Sequence, residues 1–114
     1  MVTTDEANKT LCKLCDADFT KIINKSYHVE GMSLIKLRDI LTIAGQIHKE
    51  NLEEGYYLAS IPGGFFKRNF AFFLAYYMDN EILIACYAQE GIIKQHTARD
   101  AFDEFERQIK NFIR

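Results

Sequence analysis

The sequence predicts an α+β fold, with N-terminal helices, a three-stranded antiparallel sheet and a C-terminal amphipathic helix packed on the sheet. Two observations carry this prediction. Residues 69–89 have the pattern of a strongly apolar hairpin, and residues 97–113 repeat apolar side chains at helical spacing. A fourth strand over residues 27–30 is left open, because Tyr27-His28-Val29-Glu30 suits an edge strand and Gly31 suits a turn.

The predicted hairpin joins residues 69–78 and 81–89 through Asp79-Asn80, two residue types that tolerate the left-handed backbone of a two-residue turn. If Met78 opposes Glu81, the register assigns every side chain to one face. One face then carries the pairs Tyr76–Leu83, Leu74–Ala85 and Phe72–Tyr87, and the other carries Tyr77–Ile82, Ala75–Ile84, Phe73–Cys86 and Ala71–Ala88.

Both faces of this hairpin are apolar. An antiparallel sheet usually keeps one wet face and then alternates apolar with polar residues. This hairpin does not, so we expect a cover on each side: helices on both, or helices on one and a second subunit on the other.

The N-terminal half predicts helices. Thr3 and Glu6 form a capping box at the start of a helical pattern over residues 3–25, and Asp18 is placed to cap a second short helix within it. Residues 33–50 predict another helix with Ser33 as its N-cap. Gly45 lowers helix propensity there, which suggests a close approach to another element.

The second half predicts strands and a final helix. Residues 56–61 are typical of a strand, and Pro62-Gly63 has the residue types of a tight turn. The last helix is predicted to start at an N-cap, Thr97, with Asp100 three residues later.

The totals predict one domain over residues 1–114. A net charge of −2 argues against a nucleic-acid partner, since such proteins usually carry a basic excess. Apolar runs are shorter than the roughly 20 residues that cross a bilayer, so no membrane contact is expected. The start of the sequence lacks a signal-peptide pattern, and the three cysteines are an odd number, so we expect a cytoplasmic protein.

We expect no metal and no other cofactor. Cys12 and Cys15 form a CxxC motif inside a predicted helix, without the preceding strand of a redox motif and without two further ligands at zinc-site spacing. Cys86 is predicted to lie in the sheet interior. No serine, histidine and carboxylate combination predicts a catalytic site, so no catalytic residue is assigned and a non-enzymatic role is favoured.

The candidate binding residues are aromatic and basic. Phe65-Phe66-Lys67-Arg68 follows two glycines and is predicted to plug the core, with base stacking and phosphate binding as the alternative. Tyr76 and Tyr87 are candidates because a tyrosine can give an aromatic pocket a polar tip.

These observations favour a non-catalytic protein-interaction domain that acts through an apolar and aromatic surface. Its partner is expected to be a second copy, giving a homodimer, or one protein that it neutralises or chaperones, as an immunity-type protein does. The alternative is a small-molecule binder or sensor with an aromatic pocket between sheet and helices.

Overall fold

The computed structural model describes residues 2–64, 69–88 and 96–113. The elements in chain order are α1 (Thr4–Cys15), a 3₁₀ turn (Phe19–Lys21), β1 (Ile23–His28), α2 (Leu34–Ala44), β2 (Gln46–Asn51), β3 (Tyr56–Gly63), β4 (Asn69–Met78), β5 (Glu81–Ala88) and α3 (Thr97–Phe112).

The strands form one antiparallel sheet in the order β1-β5-β4-β3-β2. The α+β class is confirmed, and so is the C-terminal helix packed on the sheet. The predicted strand number, three with a fourth left open, is wrong because the sheet has five strands. The additional strands, β1 and β2, are its two edges.

The predicted hairpin register is confirmed at every pair, from Met78 opposite Glu81 to Ala71 opposite Ala88. Asp79 and Asn80 make the turn with φ values of 49° and 65°, in the left-handed region that a two-residue hairpin loop requires.

Helices of this chain cover both faces of the sheet, giving three layers. Helix α1 lies on one face, here called the α1 face, where Ala7 and Leu11 pack against β3, β4 and β5. Helices α2 and α3 lie on the other, the α2/α3 face. The sequence left two alternatives for what covers the hairpin, and the structure shows the first of them, helices on both faces. The apolar hairpin alone therefore requires no second subunit.

Aromatic packing holds α3 on its face. The ring of Phe73, at the centre of β4, lies 4.8 Å from that of Phe102 and 5.6 Å from that of Phe105. All three side chains are buried. On the opposite face, the side-chain amides of Asn8 and Asn24 bond each other twice, at 2.8 and 3.2 Å, which ties α1 to β1.

The helix predicted over residues 3–25 is too long. The capping box of Thr3 and Glu6 is present, but α1 ends at Cys15 because Asp16 adopts φ 54° and closes the helix. Asp18 caps the 3₁₀ turn through a 3.0 Å bond from the amide of Thr20, as predicted. The next element is β1. The optional fourth strand, suggested by the sequence over residues 27–30, is therefore present but spans Ile23–His28.

The helix predicted over residues 33–50 is also too long. Ser33 caps it as predicted, but α2 ends at Ala44, and β2 begins one residue after Gly45. A Cβ on Gly45 would lie 2.0 Å from the carbonyl oxygen of Ser60 in β3. The suggested close approach is therefore real, and it marks a helix-to-strand junction.

Two boundary predictions near the C-terminal half are corrected. Pro62 and Gly63 do not make a tight turn, because β3 continues through them and pairs them with Phe70 and Asn69. Thr97 was predicted to be the N-cap of the last helix, but it is the first residue of α3. The N-cap residue is His96, and no side chain caps this helix. Within the described ranges, no helix has the length and apolarity of a membrane span.

Candidate functional site

The predicted binding residues do not form one site in the described part of the chain. Phe65, Phe66, Lys67 and Arg68 lie outside the described residues. Tyr76 and Tyr87 share the α1 face but do not face each other. Tyr76 of β4 is opposite Leu83, and Tyr87 of β5 is opposite Phe72.

Tyr76 is part of the core and Tyr87 is half-buried. The ring of Tyr76 packs 5.2 Å from that of Tyr56, and burial raises the pKa of its hydroxyl. On the other face, the hydroxyls of Tyr57 and Tyr77 donate to the carbonyl oxygens of Leu34 and Met32, at 3.0 and 2.7 Å. These tyrosines fix the start of α2 against the sheet.

The cysteines lie in packing environments. Cys86 is fully buried, as predicted, and burial raises the pKa of its thiol. Cys12 and Cys15 are both half-buried on α1. Burial raises the pKa of Cys15 to about 11, and its Sγ donates to the Leu11 carbonyl. A raised thiol pKa opposes the thiolate that nucleophilic and metal chemistry need. No group of potential metal ligands was found among the described residues.

His48 and Ser60 form a pair that the sequence did not predict. Residue 48 was expected near the end of a helix, but it lies on β2, where its Nε2 is 2.7 Å from the Ser60 Oγ. Ser60 is buried in β3 between β2 and β4, so its backbone groups belong to the sheet. An oxyanion hole requires free backbone amides, and this serine supplies none. The pair therefore serves as a cross-strand hydrogen bond.

Strand β1 presents one free side. Among the described strands it pairs only with β5. The amide of Val29 donates to the Asn80 carbonyl at 2.7 Å, so the alternation of an antiparallel ladder makes the odd-numbered residues of β1 bond β5. The amides and carbonyls of the even-numbered residues, Asn24, Ser26 and His28, therefore point away from the sheet.

A groove of about 800 Å³ runs along this free side. Its strand wall is residues 26–31, and its helix wall is the C-terminal end of α3, with Ile109, Phe112 and Ile113. Lys36 closes it from α2, with its Nζ 3.0 Å from the Gly31 carbonyl and 5.2 Å from the centre of the Phe112 ring. We call this feature the β1 groove.

Charged side chains surround the β1 groove. Glu106 of α3 accepts a 2.6 Å hydrogen bond from the hydroxyl of Tyr27 and lies 3.5 Å from the Lys25 Nζ. Burial, followed by that bond to Glu106, raises the pKa of Tyr27, so the hydroxyl stays protonated as a donor.

The acidic end of the groove centres on His28. Its two ring nitrogens lie 2.5 Å from Glu30 and 2.7 Å from Glu81. Those hydrogen bonds, Glu30 first, raise the pKa of His28 above its ordinary value of 6.5.

The opposite edge of the sheet is less suited to binding. Strand β2 pairs with β3 through a register shift between Ile47 and Lys49, which is a β-bulge at His48. Bulges and charged residues are the usual protection of an edge strand. Strand β1 has continuous register over six pairs. The available edge is therefore β1.

The sequence contained a partial signal for β1. Ile23, Lys25 and Tyr27 alternate with Asn24, Ser26 and His28. That two-residue period predicts a strand, but the preceding helical spacing masked it. No local sequence pattern could have predicted the groove, because its two walls are far apart in the chain. Tyr27 of β1 and Glu106 of α3, which bond each other, are 79 residues apart.

In the described residues, the fold is a three-layer α+β arrangement whose sheet has a helix or helices on each face and a regular edge strand, β1. Comparisons with protein-family models, with curated proteins and with solved structures found no match to this chain.

Proposed function

We propose that the protein is a non-catalytic protein-interaction domain that binds an extended segment of a partner along β1. The observation that supports this most is the β1 groove, with the outward-pointing backbone of Ser26 and His28 on one wall and apolar side chains of α3 on the other. Strand addition uses these two elements together: the backbone gives affinity, and the pockets select side chains.

The proposed interaction surface is an edge of the sheet, whereas the sequence suggested a face of the sheet. Self-association and the neutralising of one partner both remain within it, because a strand of either origin fits the same backbone pattern. We expect the partner segment to alternate apolar and polar residues. Successive side chains of an added strand point to opposite sides, and here one side faces α3 and the other faces solvent.

The test is selection of 12-residue peptides from a random library on the immobilised full chain, followed by fluorescence anisotropy. We expect selected peptides to bind with a Kd of about 1–100 µM, equivalent to about −8 to −5.5 kcal/mol. Ser26→Pro should weaken binding at least about tenfold, because it removes an outward amide and fills its place with a ring. Ser26→Ala keeps the amide and is the matched control.

Two results contradict the proposal. One is a library that yields no peptide binding in that range. The other is a set of peptides that bind Ser26→Pro as tightly as the unaltered chain, since their site is then not the β1 edge.

Small-molecule binding is a second candidate, and one observation favours it. The volume of the groove lies within the roughly 300–1,000 Å³ typical of ligand pockets. A metabolite screen by thermal shift separates the two, because a ligand of the groove should raise the Tm in the Ser26→Pro variant as well.

A further inference from the structure

We infer that the strand received by β1 is β1 of a second copy, paired antiparallel about a two-fold axis at Ser26. This inference rests on the proposed function, since it names the partner of the same groove. It is argued from the backbone pattern, from one exposed isoleucine and from the distribution of charge.

The backbone pattern limits the register. A two-fold axis perpendicular to the sheet keeps each face on its own side, so opposed residues must have the same parity. Hydrogen bonds between the copies must join even-numbered residues, because only those point outward. Two registers then give the largest overlap of the six-residue strands, one centred on Lys25, which pairs residues 23–27, and one centred on Ser26, which pairs residues 24–28.

Charge selects between these registers. Centring on Lys25 places two lysines directly opposite each other, which is unfavourable. Centring on Ser26 places Lys25 opposite Tyr27 of the second copy, whose hydroxyl bonds the Glu106 carboxylate. Lys25, which already pairs with Glu106 of its own chain, then lies beside the same carboxylate of the other copy and not opposite a second lysine.

The Ser26 register also gives an exposed apolar side chain a site. Ile23 is 44% exposed and lies on the α2/α3 face, opposite the buried Cys86. In this register it stands opposite Val29 of the second copy, at the end of the groove lined by Ile109, Phe112 and Ile113. Each copy therefore supplies the apolar side chain that fits the groove of the other.

The charges that the pairing brings together lie on the α2/α3 face. Antiparallel pairing about Ser26 places Lys25 of each copy beside the Tyr27–Glu106 pair of the other, which favours this orientation.

The test measures mass by sedimentation velocity from about 1 µM to about 500 µM protein. We expect a concentration-dependent dimer for the unaltered chain and for Ser26→Ala, and at least a tenfold weaker dimer for Ser26→Pro. Ile23→Glu should weaken it equally. Leu52→Glu is its matched control, because Leu52 is 62% exposed and directly follows β2, the opposite edge strand of the sheet. Ile23→Glu keeps the test valid if Ser26→Pro does not fold.

A crosslink tests the register. In a Cys12→Ala, Cys15→Ala background, Ser26→Cys should form an intermolecular disulfide on mild oxidation, since directly opposed residues have Cα atoms about 5.5 Å apart. Met78→Cys is the control, because Met78 is exposed on β4, which β5 separates from the β1 edge, and its crosslinking should be much slower.

The outcomes separate this inference from the proposed function. A chain that stays monomeric to the highest concentration overturns the second-copy inference, while peptides that still need the Ser26 amide would keep the proposed function. A dimer that forms equally well in Ser26→Pro and Ile23→Glu overturns the inference too, because the interface then lies elsewhere.

Discussion

Gly45 shows how one small residue sets the path of the chain. Its φ of −166° is extended, so the backbone conformation places no demand on glycine. The demand is spatial, because the Ser60 carbonyl occupies the position of a Cβ. This contact allows α2 to end and β2 to begin with a single residue between them.

Gly45→Ala is therefore expected to cost about 3 kcal/mol or more of unfolding free energy, since backbone atoms of β3 must shift. Gly31→Ala is the matched control. Gly31 has φ 77° with no atom within 4 Å of an added Cβ, so only the left-handed strain of about 1–2 kcal/mol applies. Urea unfolding measures both. Equal losses in the two variants would contradict the steric explanation.

The same residue explains where sequence reasoning failed. Ile40, Ile43 and Ile47 follow helical spacing, and the segment Gln46–Asn51 contains good helix formers. In the fold, Ile43 is exposed and Ile47 belongs to β2. Pairing with β3 outweighed local propensity, and that pairing depends on a contact with Ser60 that no local pattern contains.

At the scale of elements, the most accurate predictions were those that rested on strong local sequence signals, such as turn and capping residues. The β4–β5 hairpin was correct in turn and register, because Asp79-Asn80 and the alternation agree, and residue 89 of the predicted strand 81–89 lies outside the described residues. The caps at Thr3, Asp18 and Ser33 were correct for the same reason. The β1 groove was not predictable, because its walls come from β1 and α3 and meet only in the fold.

The contacts of His28 give β1 a pH-dependent attachment to β5. Its folded pKa lies above the ordinary 6.5, so its contribution to stability is complete below that value and is lost as the pH rises through the folded pKa. Glu30, Glu81 and the amide of Asn80 are the groups around it.

We expect the stability difference between the unaltered chain and His28→Gln to be largest near about pH 6 and to shrink toward about pH 9. Unfolding midpoints in urea across this range measure it. Lys49→Gln, which changes an exposed residue on the opposite edge, should show no such trend. A difference for His28→Gln that stays constant with pH would contradict the role of the protonated imidazole.

At the scale of the whole molecule, the three layers predict where the backbone opens first. The centre of β4 is enclosed between two neighbouring strands and covered on both faces, so its amides should exchange with solvent only on global unfolding. The edge strands have fewer partners and should exchange through local opening.

Native-state hydrogen exchange in dilute protein should show alternation along β1. The amides of Asn24, Ser26 and His28 should exchange fast, and those of Lys25 and Tyr27 slowly. At high concentration, a second copy on β1 should slow the fast set. Uniform protection of consecutive β1 amides in dilute protein would show that the edge is not free.

The position of β1 in the sheet also bears on biosynthesis. Asn24 of β1 bonds Ile84 of β5, and these residues stand 60 positions apart in the chain. At about 5–20 residues per second, a ribosome needs about 3–12 s to extend the chain from one to the other. Throughout that interval, β1 and the apolar side of α1 have no completed sheet to pack on. Such non-local pairing slows folding, so the nascent N-terminal segment stays open to chaperones until β5 has emerged.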